Sequence, residues 1–199
     1  MLELGLLDWK RRVFALYAAV RAAGDPEAAW EDWRRGRDDL FRAHPQTPLS
    51  RESRERFGGL AYFEYDPAFR VLGDVVPGDG ELRDVAASGG ETVRFRRFGA
   101  VRFELLGEAH ELGLYWLEGY GGGVFLPFAD ATSGTETYGG GRYLLDTVKG
   151  ADLGEADGRL VLDFNFAYNP SCSYDPRWVC PLSPRENRLE TAVRAGERH

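Results

Sequence analysis

The feature that most constrains this chain is a change of hydrophobic period at Gly58-Gly59. Before that pair, apolar residues recur at three- and four-residue steps; after it, they alternate. A helical first third followed by many short alternating segments predicts an α+β fold, with helices laid against an antiparallel sheet.

Leu6, Trp9, Val13, Leu16, Tyr17 and Val20 trace a first helix, with Asp8 as its expected N-cap. A second opens at Asp25-Pro26-Glu27, where a capping carboxylate precedes a proline at the first helical position. Trp30, Trp33, Arg37, Leu40, Phe41 and His44 fall near one face, and Pro45 ends the helix. His44 is thereby set at a helix C-terminus, where the dipole favours imidazolium. Ser50 caps a short helical stretch running to Phe57.

Strands are predicted at 60–65, 69–76, 92–98, 101–106, 111–117, 124–128, 142–147 and 159–168, with turns at Asp66-Pro67, Gly99-Ala100 and Gly107-Glu108. About eight such strands in a meander make an antiparallel β-barrel or strongly curved sheet. Two to three N-terminal helices (1–58) then cover the β-rich core (59–182). A short C-terminal helix (183–196) follows from the capping box Ser183-Pro184-Arg185-Glu186, with Leu189 and Val193 facing inward. The whole chain, 1–199, reads as a single domain.

With 199 residues and 43% hydrophobic content the chain has apolar material for a proper core, and its net charge of −7 argues against a nucleic-acid surface. Of 25 basic residues only Lys10 and Lys149 are lysine. No stretch reaches the roughly 18 apolar residues of a membrane span. Arg11-Arg12-Val13-Phe14 only faintly resembles a twin-arginine leader. A cytoplasmic location is expected.

Two blocks carry the chemistry. Phe128–Arg142 gathers Asp130, Ser133, Glu136, Tyr138, a glycine triplet and Arg142 into one inter-strand segment. Glycines let backbone N–H groups approach a ligand, and the Arg142 fork suits a carboxylate or phosphate. The block lacks the Gly-Lys-Ser/Thr ending of a phosphate loop. A purely structural loop, with Arg142 paired to Asp146 or Glu136, is the competing reading. The second block, Leu162–Tyr174, alternates so that Asp163 and Asn165 share one face, either solvent-facing or lining a barrel interior. Pairing of 142–147 with 159–168 is expected to bring Arg142 and Asp146 near Asp163 and Asn165.

Cys172 and Cys180 are spaced unlike a CxxC motif. They read as two reduced thiols, a local disulfide or, least of all, a zinc site completed by His44. Trp9, Trp30, Trp33 and Trp116 read as core residues, whereas Trp178 is free to wall a pocket.

The segments Phe128–Asp146 and Asp163–Leu189 resemble a prokaryotic family, domain-of-unknown-function family 1684. The resemblance rests on Asn169-Pro170-Ser171-Cys172, Trp178-Val179-Cys180-Pro181-Leu182 and Glu186-Asn187-Arg188-Leu189. Arg42–Leu49 and Leu60-Ala61-Tyr62-Phe63 resemble it too. It implies no activity, and hence no catalytic residues, but groups His44 with the 130–142 and 169–180 segments.

Together these residues predict a small polar or anionic metabolite bound at the mouth of the β-core. Arg142 anchors the anion, and Tyr138, Asn165, Asn169, Ser133, Asp130 and Trp178 line the site. Asp163, Glu136 and His44 are the candidate acid–base groups for a cofactor-free hydrolysis or proton transfer. No metal, cofactor, nucleic acid or membrane is expected. The rival is a non-catalytic binding or homodimeric interaction domain.

Overall fold

A computed structural model describes residues 2–199. Helix α1 (Leu2–Ala22) begins before Asp8, so that carboxylate is not an N-cap; it accepts from Arg12 one turn on. Helix α2 (Pro26–Ala43) starts as its sequence dictates, with Asp25 accepting from the backbone N–H groups of Glu27 and Ala28. The two helices approach closely because residue 36 is glycine: a Cβ there would lie 2.4 Å from Leu16 Cδ2. Trp30 and Trp33 are buried, Trp33 edge-on to both Tyr17 and Phe166. A short helix α3 (Arg51–Glu55) is capped by Ser50.

Eight strands follow: β1 (Arg70–Pro77), β2 (Leu82–Ala86), β3 (Thr92–Leu105), β4 (Glu108–Leu117), β5 (Val124–Phe128), β6 (Arg142–Asp146), β7 (Glu155–Ala156) and β8 (Arg159–Asp163). All pair antiparallel in the order β6-β5-β4-β3-β1-β8-β7, with β2 on β3. The sheet curls into a half-barrel, and the fold is α+β with the helices N-terminal. Its inner face carries Val101, Leu112, Leu114, Leu126, Leu144 and Leu162, all buried.

Several expectations are corrected. Residues 92–98 and 101–106 form one 14-residue strand, because Gly99 makes a bulge instead of a turn. The glycine is required by close approach, since a Cβ at 99 would lie 2.8 Å from the Val76 carbonyl oxygen. The true β3–β4 turn is Leu106-Gly107, both with positive φ, the geometry of a two-residue type I′ hairpin. Residues 60–65 form no strand; their one bridge, Tyr62 to Glu197, is to the C-terminal segment. Strand β2 was not foreseen.

Strands β6 and β8 do not pair, because β1 occupies the edge of β8. Curling of the sheet nevertheless returns the chain after β8 to β6 through a single bridge, Tyr143 to Tyr168. The alternation in 159–168 breaks at Asp163, whose side chain accepts from Asn165 N and turns the chain into a 3-10 turn. Phe164, Asn165 and Phe166 are consequently all buried.

The C-terminal helix does not form. Ser183 Oγ donates to the Asn187 carbonyl instead of capping an N–H, and only a turn at Arg185–Asn187 results. Leu189 and Val193 are buried all the same, in a chain that runs on without helix or strand. Trp116 lies in β4 but is 36% exposed, so it is not a core residue.

Candidate functional site

The expected site residues occupy separate places. Arg142 is fully buried and both of its terminal nitrogens are held from within: Nη2 donates to Asp130 Oδ2 and to the Val193 carbonyl, each at 2.9 Å, and Nη1 donates to the carbonyls of Ala195 and Glu197, while Nε has no partner. Asp130 also accepts from Thr132 and from the Val193 N–H, and Ser133 Oγ accepts from Asp130 N. The arginine expected to hold an external anion thus clamps the C-terminal segment, paired neither to Asp146 nor to Glu136. Glu136 grips Arg194 on the surface with both oxygens, which hold its carboxyl below the usual range.

Asp163 and Asn165 do lie together. Asp163 Oδ1 accepts from Asn165 N and Nδ2, while Asn165 also bonds both backbone groups of Asp66. Burial raises the Asp163 carboxyl to about 6, against the Asn165 hydrogen bonds and Arg70, whose Nε lies 3.7 Å from Oδ2. Neither residue hydrogen-bonds Arg142 or Asp130, whose partners lie elsewhere. His44 is buried, with Nδ1 accepting from Gln46 N and Nε2 facing Asp8 at 3.1 Å, so its ring proton sits on Nε2. Trp178 donates to the Pro48 carbonyl. Tyr138 lies 3.6 Å from the Cys172 thiol. His44 and the two cysteines do not assemble: among the described residues no group of three His, Cys, Asp or Glu side chains has metal-holding geometry.

Asp163 borders a cavity of about 120 Å³ beside Arg70 and Phe166, and Asn169 lines a second one. This space, about 70 Å³, lies between α1, α2 and the junction of β6 with residues 168–174. Its walls are aromatic: Trp9 and Tyr17 from α1, Phe41 from α2, Tyr143, Tyr168 and Tyr174. Arg37 enters through that wall, its Nε donating to Tyr62 OH and its Nη2 to Glu197 Oε2, both at 2.9 Å. Glu197 is buried, which raises its carboxyl above the usual range; Arg37, Tyr174 OH and Asn169 N–H oppose the shift. Half-exposed Lys149 stands at the mouth, 3.1 Å from Asp146 Oδ2.

The cavity is not fully satisfied. Asn169 Nδ2 donates to the Arg198 carbonyl, fixing the amide's orientation, yet Oδ1 is buried without a partner. The Tyr17 hydroxyl is likewise unpartnered. By contrast, the groove of about 780 Å³ across β1, β3 and β4 is open to solvent, and Arg102 and Glu111 pair with each other along it.

Sequence reasoning missed Arg37, Lys149, Tyr17 and Glu197. Arg37 did signal itself, as a charge on the apolar face of α2. Lys149 is one of two lysines in an arginine-dominated chain. Tyr17 lies on the apolar face of the first helix, whereas Glu197 gave no local signal, since its burial depends on meeting Arg37 of α2.

Fold and cavity define an α+β protein with a half-barrel sheet capped by two antiparallel helices. The profile of the family described as Protein of unknown function (DUF1684) matches residues 55–198, and the chain belongs to that family. An uncharacterized protein of Haloarcula marismortui, solved by solution NMR, is 35% identical, with 87% of this chain and 94% of that chain covered and a TM-score of 0.60. No curated protein matches the chain.

Proposed function

We propose that this protein binds a small anionic molecule that also carries a hydroxyl or amine, such as a short hydroxycarboxylate, in the aromatic cavity between α1, α2 and β6. The observation that carries the reading is the buried, unpartnered Asn169 Oδ1 on a cavity into which Arg37 projects. An orphaned acceptor costs roughly 1–3 kcal/mol, which a ligand N–H or O–H would recover. Lys149 at the mouth and the Arg37 guanidinium favour negative charge, and the aromatic walls suit an apolar body. The volume limits the ligand to a few heavy atoms.

The reading is binding, with catalysis disfavoured on one physical ground. Glu197, the carboxyl that Arg37 grips, is held on one oxygen by Tyr174 and on the other by Arg37 and the Asn169 N–H. A group so restrained orients its neighbours instead of carrying protons. Thermal denaturation against a panel of short hydroxycarboxylates, inorganic phosphate and neutral amides tests the reading. A carboxylate is expected to raise the wild-type midpoint and to lose that effect in Asn169→Leu and Lys149→Ala. No stabilising compound, or equal stabilisation of both variants, contradicts it.

A second reading, self-association, is favoured by Leu2, Leu4, Leu6, Leu7 and Phe14, all exposed on α1. The solution mass of the protein, monomeric or dimeric, decides it.

A further inference from the structure

Cys172 and Cys180 meet outside the ligand groups just described. Neither thiol is joined to another, and each is the foremost influence on the other's acidity. Cys172, on the 3-10 turn Ser171–Ser173, is half-buried and has a second neighbour in Tyr138 OH at 3.6 Å. Cys180 is buried at 5% exposure. Ser88 fixes its backbone from both sides: Ser88 N donates to the Cys180 carbonyl at 3.0 Å, and Cys180 N donates to Ser88 Oγ at 3.1 Å. Pro176, Arg177 and Val179 in the connecting segment are exposed.

We propose that Cys172 and Cys180 form a thiol–disulfide exchange site that reduces low-molecular-weight disulfides, with Cys172 as the attacking thiol and Cys180 as the resolving one. The asymmetry of burial assigns the roles, since an incoming disulfide reaches Cys172 and not Cys180. The Cys180 thiol, with the Ser88 and Tyr138 hydroxyls, pulls Cys172 down to about 5 against its burial. Cys180 is pushed above its ordinary value, chiefly by its contact with Cys172, and keeps its proton.

In the first step the Cys172 thiolate attacks one sulfur of the disulfide. That S–S bond breaks, a mixed disulfide forms at Cys172, and the first small thiol leaves with a solvent proton. Cys180 then attacks the Cys172 sulfur, its proton passing to the departing second small thiol. Two protein thiols lose two electrons and become a disulfide, while the small disulfide gains two and becomes two thiols. The site does not depend on what occupies the aromatic cavity.

The test is intact mass after reduced protein meets oxidised glutathione at neutral pH, with an acid quench. Wild type is expected to end lighter by two hydrogens, reversibly with a dithiol reductant. Cys180→Ser is expected to stop at one glutathione adduct, mapped to Cys172, and Cys172→Ser to stay unmodified over the same time. Should Cys180→Ser fail to fold, early quenching of wild type reads the same intermediate, a mixed disulfide at Cys172 preceding ring closure. Two thiols that stay free in wild type, a first adduct at Cys180, or a Cys172→Ser variant that reacts as fast, overturns the proposal.

Discussion

Arg142 Nη2 and Asp130 Oδ2 are 2.9 Å apart with neither side chain more than 1% exposed, and the same guanidinium holds the carbonyls of Val193, Ala195 and Glu197. One buried ion pair therefore fastens the C-terminal segment, which has no helix or strand of its own, to the end of β6. Burial lowers the Arg142 pKa and Asp130 opposes that shift, as expected of a charge retained only because its partner is present.

Arg142→Met strands Asp130 without its counter-charge and frees three carbonyls. The loss of stability is expected at roughly 3–5 kcal/mol, read as the shift in a urea denaturation curve. A loss below about 1 kcal/mol would mean that the C-terminal segment is held by something else.

Asn187 patches the sheet where β4 and β5 diverge. Its Oδ1 accepts from Gly113 N at 2.8 Å, and its Nδ2 donates to the carbonyls of Gly113 and Pro127. Asn187→Ala is expected to cost about 3 kcal/mol, because three buried backbone groups lose their partner together. Hydrogen exchange at the Gly113 amide should accelerate in step, and an unchanged rate would dissociate the residue from the sheet.

Asp163 supplies a pH signature. Its folded carboxyl titrates near 6 against an ordinary 3.8, so the folded state holds the proton more tightly than the unfolded one. Its contribution is fully present below pH 3.8 and is lost as pH rises through 6. Asp163→Asn keeps the oxygen that Asn165 uses and removes the titration. The variant should gain stability relative to wild type between pH 4 and 7, by at most about 3 kcal/mol. A difference independent of pH would contradict the assignment.

How much of this was legible in sequence follows from range. The second helix, its Asp25 cap and its end before His44 were readable because caps act within four residues. The change of period at Gly58-Gly59 marked where helices end. Gly99 misled because a glycine between apolar runs signals a turn or a close approach equally well, and only the position of Val76 decides between them. Ser183-Pro184-Arg185-Glu186 misled because a capping box forms only if the chain beyond it is free to coil, and Ala129 holds that chain by bonds to the Asn187 carbonyl and the Leu189 N–H. Within the polar block 130–142, Asp130 and Arg142 pair in the interior while Glu136 and Tyr138 turn to other partners. No local pattern tells whether a fork meets a ligand or the chain's own carbonyls.

Binding should also appear as stabilisation. At a ligand concentration 100 times its Kd, the folded state gains about 2.7 kcal/mol. Lys149→Ala, at the cavity mouth, is expected to weaken the effect for carboxylates and leave it intact for neutral amides, checked by calorimetric titration. Equal losses for both classes would show that charge is not what Lys149 contributes.

The most direct measurement is the mass of gently purified protein under native and denaturing conditions, for wild type and Asn169→Leu in parallel. The account predicts a small adduct on native wild type that denaturation releases and that Asn169→Leu does not carry. A native wild-type mass equal to that of the chain alone, or an adduct that Asn169→Leu retains unchanged, would contradict the cavity as the binding site.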